Sequence, residues 1–190
     1  MRGTAEVLSE GPDGLRLGLT LDADPPPRAG VSLVLAIPRP KTLRRVIPAL
    51  ASLGVDRIVL VNAARVEKSY FDSKVLAPAF LDGLIDLGLE QARDTRPPRI
   101  EVRERFRPFV EDELDAWAGS SVRLVPHPTA HATVPRVEPS QPVTLAIGPD
   151  GGWVPFEVDL FERCGFTPVS FGPRILRVEV ALSYVLGRIR

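Results

Sequence analysis

The sequence predicts an α/β domain built on a mostly parallel sheet, and three observations carry that prediction. Nearly continuous apolar runs at 31–37, 57–61 and 143–147 have the composition of strands buried on both faces. Stretches with apolar residues at helical spacing separate them. Turns containing Gly or Pro follow the later runs, at His127-Pro128, Gly148 to Gly152 and Phe171-Gly172-Pro173. Strands alternating with helices imply one parallel sheet with helices on both faces, whose ligand sites lie beyond the carboxyl ends of the strands.

Taken in order, residues 15–21 alternate strictly, which puts Leu15, Leu17, Leu19 and Leu21 on one face of a strand. So few residues precede the Pro25-Pro26-Pro27 linker that they cannot form a core of their own, so residues 1–28 are expected to be part of a larger β-domain, with the main domain at 29–190. After the strand at 31–37, Leu43, Val46, Ile47, Leu50 and Leu53 form one helical stripe, with Thr42 expected as the cap, Pro48 as a bend and Gly54 as the left-handed stop. A strand at 57–61 then leads to a long helix expected from about Ser73 to Gln91, with Leu76, Phe80, Leu84 and Leu87 inward. Further strands are expected at 100–102, 122–125, 143–147 and 166–171. Helices are expected at 110–118, from Pro155 to Gly165, and from Arg174 to the end.

Composition narrows the function. At 44% hydrophobic and 25% charged residues the chain has enough apolar content for a globular core. No apolar run is long enough to cross a bilayer and the first residues do not read as a signal peptide, so a cytoplasmic protein without membrane association is expected. Cys164 is the single cysteine, which rules out an intramolecular disulfide and a cysteine-rich metal site; it reads as a small buried hydrophobe near a helix end. Formal net charge is zero, so any nucleic-acid site must be local. The densest cationic stretch holds Arg93, Arg96, Arg99, Arg103, Arg105 and Arg107, interrupted by Glu101 and Glu104, and reads either as an RNA contact or as a solvated surface.

The three turns at strand ends are the candidate site. Glycine lets backbone approach a ligand closely, and the exposed N–H and C=O groups of such turns suit the adenine edge and ribose of a nucleoside-like cofactor. Neither the phosphate-loop pattern nor the dinucleotide fingerprint is present, so a pyrophosphate cofactor has no support. His127 and His131 have metal-like spacing without an evident third ligand, and no metal site is expected.

The order and spacing of several short pieces are specific. Leu145-Ala146-Ile147-Gly148-Pro149-Asp150-Gly151-Gly152-Trp153, then Glu157, Gly165-Phe166 and Phe171-Gly172-Pro173-Arg174-Ile175-Leu176-Arg177-Val178-Glu179, resemble the carboxyl-terminal signature of RsmE-type methyltransferases. Looser likeness at residues 53–59, 90–92 and 127–128 extends the resemblance over roughly residues 30–190. It implies the SPOUT fold, a parallel α/β sheet whose carboxyl-terminal segment forms a trefoil knot, with S-adenosylmethionine bound in the knot loops. It also implies methyl transfer to N3 of a uridine in 16S ribosomal RNA, a homodimer, and an amino-terminal PUA-like β-barrel of which residues 1–28 are a remnant.

Carried onto this chain, the resemblance assigns cofactor contacts to His127, Ile147, Gly148, Pro149, Gly151, Gly152, Phe171, Gly172, Ile175 and Leu176. Arg174 and Arg177 are expected to hold the uracil oxygens or a neighbouring phosphate, or else to pair with a carboxylate such as Glu179. Glu179 is the first candidate for proton acceptor, or for orienting an arginine, and Asp150 the second. Trp153 reads either as a stacking platform for the base or as packing at a helix start. Three positions depart from the family's pattern: Asp150 stands where Glu is usual, and Val178 and Val180 where Thr is usual. The competing readings are a SPOUT methyltransferase acting at another RNA position, and a catalytically weak RNA-binding or assembly paralogue, with a nucleotide-binding module third.

Overall fold

In the computed structural model, which describes residues 1–189, the chain opens with an antiparallel hairpin of β1 (Arg2–Gly11) and β2 (Gly14–Ala23). The β2 leucines stand opposite β1 as their alternation requires, Leu17 against Val7 and Leu19 against Ala5. Within the described residues nothing covers this apolar face: Val7, Leu15, Leu17, Leu19 and Leu21 are all exposed.

The remaining strands are β3 (Val31–Ala36), β4 (Arg57–Val61), β5 (Arg99–Arg103), β6 (Val122–Pro126), β7 (Val143–Ile147) and β8 (Thr167–Val169). They form one sheet, parallel throughout, in the order β5-β4-β3-β7-β6-β8. Successive strand residues point to opposite faces, so the complete burial of the consecutive Leu33, Val34, Leu35 and Ala36 shows that both faces are covered.

The cover comes from two packing groups. α1 (Pro40–Ser52) lies against α2 (Pro78–Ala92) and α6 (Val178–Ile189). α5 (Pro155–Arg163) lies against a π-helical turn, Phe109–Glu113, that joins α3 (Phe106–Pro108) to α4 (Leu114–Ala118). Phe161 is the hub of the second group, with ring centroids 5.0 Å from Trp153, 5.0 Å from Phe166 and 5.4 Å from Phe106. Cys164 ends α5, and burial raises the pKa of its thiol. No helix among the described residues is long and apolar enough to cross a membrane.

Four expectations are corrected. Thr42 does not cap α1; it is buried in the first turn, and the helix starts at Pro40, whose fixed φ suits that position, with Arg39 at the cap. Leu53 is the C-terminal cap and 46% exposed, because Gly54, at φ 71°, turns the chain immediately after it. α2 begins at Pro78 rather than near Ser73, which instead caps a separate 3-10 turn at Lys74–Leu76. With the helix restarted there, Leu81, Leu84, Ile85 and Leu89 face inward, while Phe80 and Leu87 are exposed. The terminal helix begins at Val178, four residues after Arg174, because the chain stays in an irregular loop through that stretch; Leu176 lies in the loop and Val180 on the exposed side.

Gly88 fixes the spacing of α1 and α2. A Cβ there would sit 2.2 Å from the Pro48 carbonyl oxygen and 2.7 Å from Ala51 Cβ, so only glycine permits this approach. Gly88→Ala is therefore expected to destabilise the domain by about 1–3 kcal/mol through overpacking, read as a lower urea midpoint; an unchanged midpoint would show that the helices separate freely.

Candidate functional site

Parallel direction brings the three expected turns together. β6 lies between β7 and β8, so all three strands leave the sheet at the same edge, and the chain bends there each time. The bends enclose one cavity of about 250 Å³. Pro126, His127 and Pro128 come from the end of β6, residues 147–153 from the end of β7, and Phe171, Gly172, Arg174, Ile175 and Leu176 from the segment after β8. Val178 and Ala181 of α6 complete the wall. His127, Ile147, Gly148, Pro149, Gly151, Gly152, Phe171, Gly172, Ile175 and Leu176 are thus all lining residues.

The loop after β7 needs its glycines for separate reasons. Gly152, at φ 70°, donates its N–H to the Pro149 carbonyl at 2.8 Å and closes a tight turn. A Cβ on Gly148 would lie 2.9 Å from the Trp153 backbone nitrogen, so the loop folds back on itself only because that atom is absent. Trp153 anchors the fold-back: it is 2% exposed and its indole N–H donates to the Ala146 carbonyl at 3.1 Å. Buried in this way, its ring packs and is not a platform for a base. After β8, Gly172 stands at φ 96° and its N–H donates to Ser170 Oγ at 3.1 Å. The His127 backbone N–H donates to the Val169 carbonyl at 2.9 Å, tying the first bend to the third, and its Nδ1 lies 2.8 Å from Thr129 Oγ1.

Neighbouring loops hold the glycine turn from outside, through residues the sequence did not single out. Arg65, after β4, donates to the Gly151 carbonyl, and a Cβ on Gly151 would meet its Cδ at 2.8 Å. Arg39, after β3, stands 3.3 Å from the Asp150 carboxylate. Glu157 belongs to the signature, and its role is structural. The carboxylate is 2% exposed and accepts from the backbone N–H groups of Ala64 at 2.7 Å and Val154 at 2.9 Å, joining the start of α5 to the loop after β4. The Ala64 contact depends on tertiary structure.

The charged candidates divide. Arg174 is on the cavity wall and exposed, as is the Asp150 carboxylate. Arg177 and Glu179 are not among the lining residues. Glu179 pairs with Arg45 of α1 at 3.0 Å, so it is not the carboxylate partner of Arg174 or Arg177. In the linear arginine stretch, Arg103 bonds Glu101 and Glu113 at 2.9 Å each, and the Glu113 hydrogen bond is the main cause of its raised pKa. Arg107 pairs with Glu111 and Arg96 with Asp94, so much of that stretch is neutralised within the fold.

Residues 25–190 match the model of the RNA methyltransferase domain. The chain belongs to that family. A ribosomal RNA small subunit methyltransferase E from Treponema pallidum is 33% identical over 152 residues, which cover 78% of this chain and 57% of that relative. The chain therefore spans less than two thirds of the relative's length. Among solved structures, a ribosomal RNA small subunit methyltransferase E from Neisseria gonorrhoeae bound to S-adenosyl methionine shares the fold with a TM-score of 0.74 at 21% identity, covering 98% of this chain and 76% of that one. A Legionella pneumophila methyltransferase in complex with the same cofactor also reaches 0.74, at 23% identity and with 98% and 77% coverage. The likeness to RsmE-type enzymes carried by the terminal motif thus agrees with the relatives, and this methyltransferase domain has their parallel α/β fold.

Because Glu157 holds two N–H groups with a buried charge, Glu157→Ala is expected to cost about 3 kcal/mol and lower the melting temperature, with Glu157→Gln falling between. Melting of Glu157→Ala at the parent temperature would remove the carboxylate from the support of this loop.

Proposed function

We propose that this domain transfers a methyl group from S-adenosylmethionine to N3 of a uridine in 16S ribosomal RNA, acting on the RNA or the small ribosomal subunit. The observation that carries this reading is the union of three backbone-rich bends, from separate strand ends, in one cavity. Its chemistry fits the cofactor: apolar Ile147, Pro149, Leu176 and Ala181 suit a flat purine, while the glycine turns bring backbone close to a ribose and amino-acid tail. When bound, the sulfonium supplies an already activated methyl group.

The chain's own residues then orient a base and handle a proton. Arg174 on the wall offers a planar fork of donors to the uracil oxygens or an adjacent phosphate, and Arg177, exposed just before Val178, is assigned to the same RNA segment. Asp150 is the carboxylate that reaches the wall, which favours it as acceptor of the N3 proton. Glu179, held by Arg45, fits the orienting role. Of the two valines that replace the family's usual threonines, Val178 is on the wall and Val180 is exposed, so the missing hydroxyl that bears on the site is the one at Val178.

The trefoil knot, the homodimer and the barrel remnant belong to this reading. In support of the first, the loop after β6 touches both the end of β8, where Ser170 N–H donates to the Ala132 carbonyl at 2.7 Å, and the end of α6, where Val137 N–H donates to the Ile189 carbonyl at 2.8 Å. Exposed Ile175, Val180 and Tyr184 are consistent with a subunit interface beside the cavity. The uncovered leucine face of the hairpin is what one piece of a β-barrel would present.

Calorimetric titration with S-adenosylmethionine, followed by mass spectrometry of unmodified small subunits after incubation, tests the whole assignment. Binding without transfer would favour an assembly paralogue, and a mark on another base a different RNA position. Gly148→Val is expected to abolish cofactor binding, since the side chain collides with the turn itself; normal calorimetric affinity would remove this loop from the site. Arg177→Ala is expected to lower transfer at least about 100-fold, comparable to removing a transition-state donor, with cofactor affinity kept. Unchanged turnover would end its proposed role.

A further inference from the structure

The strand-end rim of the cavity carries a group of arginines assembled from distant parts of the chain, and the linear sequence does not reveal it. Arg39 follows β3, Arg45 lies on α1, Arg65 follows β4, and Arg174 and Arg177 precede α6. Each is tied to the cavity. Arg39 stands 3.3 Å from Asp150 on the wall, and Arg65 donates to the carbonyl of Gly151 on the wall. Arg45 bonds Glu179, the neighbour of wall residue Val178, while Arg174 is on the wall and Arg177 directly precedes Val178.

We infer that the ribose-phosphate backbone of the RNA docks on this arginine rim and not on the stretch from Arg93 to Arg107, an inference that rests on the methyltransferase reading of the cavity. Charge balance separates the two surfaces. On the rim, five arginines meet three carboxylates: Asp150 and Glu179 are paired, and Glu67 accepts from the Tyr70 hydroxyl beside Arg39. The linear stretch and the turn after it set six arginines among six acids, Asp94, Glu101, Glu104, Glu111, Asp112 and Glu113. Three of the six, Arg96, Arg103 and Arg107, are already committed to those acids.

Geometry favours the rim as well. The side chains of Arg39 and Arg45 are 68% and 58% exposed, so their ion pairs are worth little and the guanidinium forks can exchange carboxylate for phosphate oxygens. Phosphate contacts fix the register of a nucleic acid without reading its sequence. Placed around the cavity mouth, they would hold a single flipped-out base over the opening. This local field also resolves how a chain of zero net charge attracts RNA.

The test uses the full chain loaded with S-adenosylmethionine and a fluorescent small-subunit rRNA hairpin, with anisotropy read across roughly 50 to 300 mM KCl. Arg39→Gln/Arg45→Gln/Arg177→Gln is expected to bind at least about tenfold more weakly, with a log affinity against log salt slope shallower by roughly 2–3. The charge-preserving Arg39→Lys/Arg45→Lys/Arg177→Lys should keep most of the parent slope. Arg93→Gln/Arg99→Gln/Arg105→Gln should behave as the parent. Parent-like binding by the rim glutamine variant, an equal loss in the lysine variant, or the main loss in the linear-stretch variant would each overturn the inference. Cofactor binding and methyl transfer by the parent are scored separately. RNA docking on the rim without either would sink the methyltransferase reading and leave the surface standing, whereas transfer with an indifferent rim would sink this inference, together with the RNA contact assigned to Arg177, and leave methyl transfer standing.

Discussion

Everything at the candidate site depends on strands β7, β6 and β8 running side by side in one direction. In a parallel sheet each chain segment must leave at the carboxyl edge and cross back over a face before it can return. Three consecutive departures from neighbouring strands therefore crowd three irregular segments into one place. An antiparallel arrangement of the same strands would have sent alternate turns to opposite edges. The cavity is the space left between segments that cannot pack flat, because each has just turned.

Crowding sets the demand for small residues and for outside support. Gly148 is needed because the loop closes onto the nitrogen of Trp153, and the Arg65 side chain lies across Gly151. Trp153 holds the loop from below through Ala146 and the aromatic group around Phe161. Glu157 and Arg65 link it sideways to the loop after β4. A cavity walled by backbone is thus made rigid by side chains that point away from it, which is how a site that must position a cofactor can be built from turns.

The regular parts of the fold could be read from residue pattern. The apolar runs at 57–61 and 143–147 coincide with β4 and β7, because continuous apolar runs between turn residues leave few alternatives. Helix starts carry less local signal. Pro78 and Pro40 each open a helix, where helical spacing alone suggested Ser73 and Thr42, because apolar periodicity continues into neighbouring turns and carries no mark of where hydrogen bonding begins. Phe80 and Leu87 fall outside the buried face for a related reason: the inward face of α2 is chosen by the close approach at Gly88, a contact with α1. At the site, the glycine turns announced themselves. Arg39, Arg45 and Arg65 did not, since arginines scattered among ordinary loops carry no local signal.

Local residue pattern fixes the order of strands and helices from residue 31 onward, the three bends rich in turn residues, and the motif that relates this chain to RNA methyltransferases, because each is a property of neighbouring residues; the pairing of β1 with β2 is not among them. Only the folded chain fixes that the bends share one cavity, that Trp153 and Glu157 face inward as supports, that Glu179 belongs to Arg45, and that Arg39 and Arg65 reach the cavity wall from other loops. Those outcomes join residues as far apart as Arg45 and Glu179. Their pairing is fixed by strand order and direction, which no local run of residues encodes.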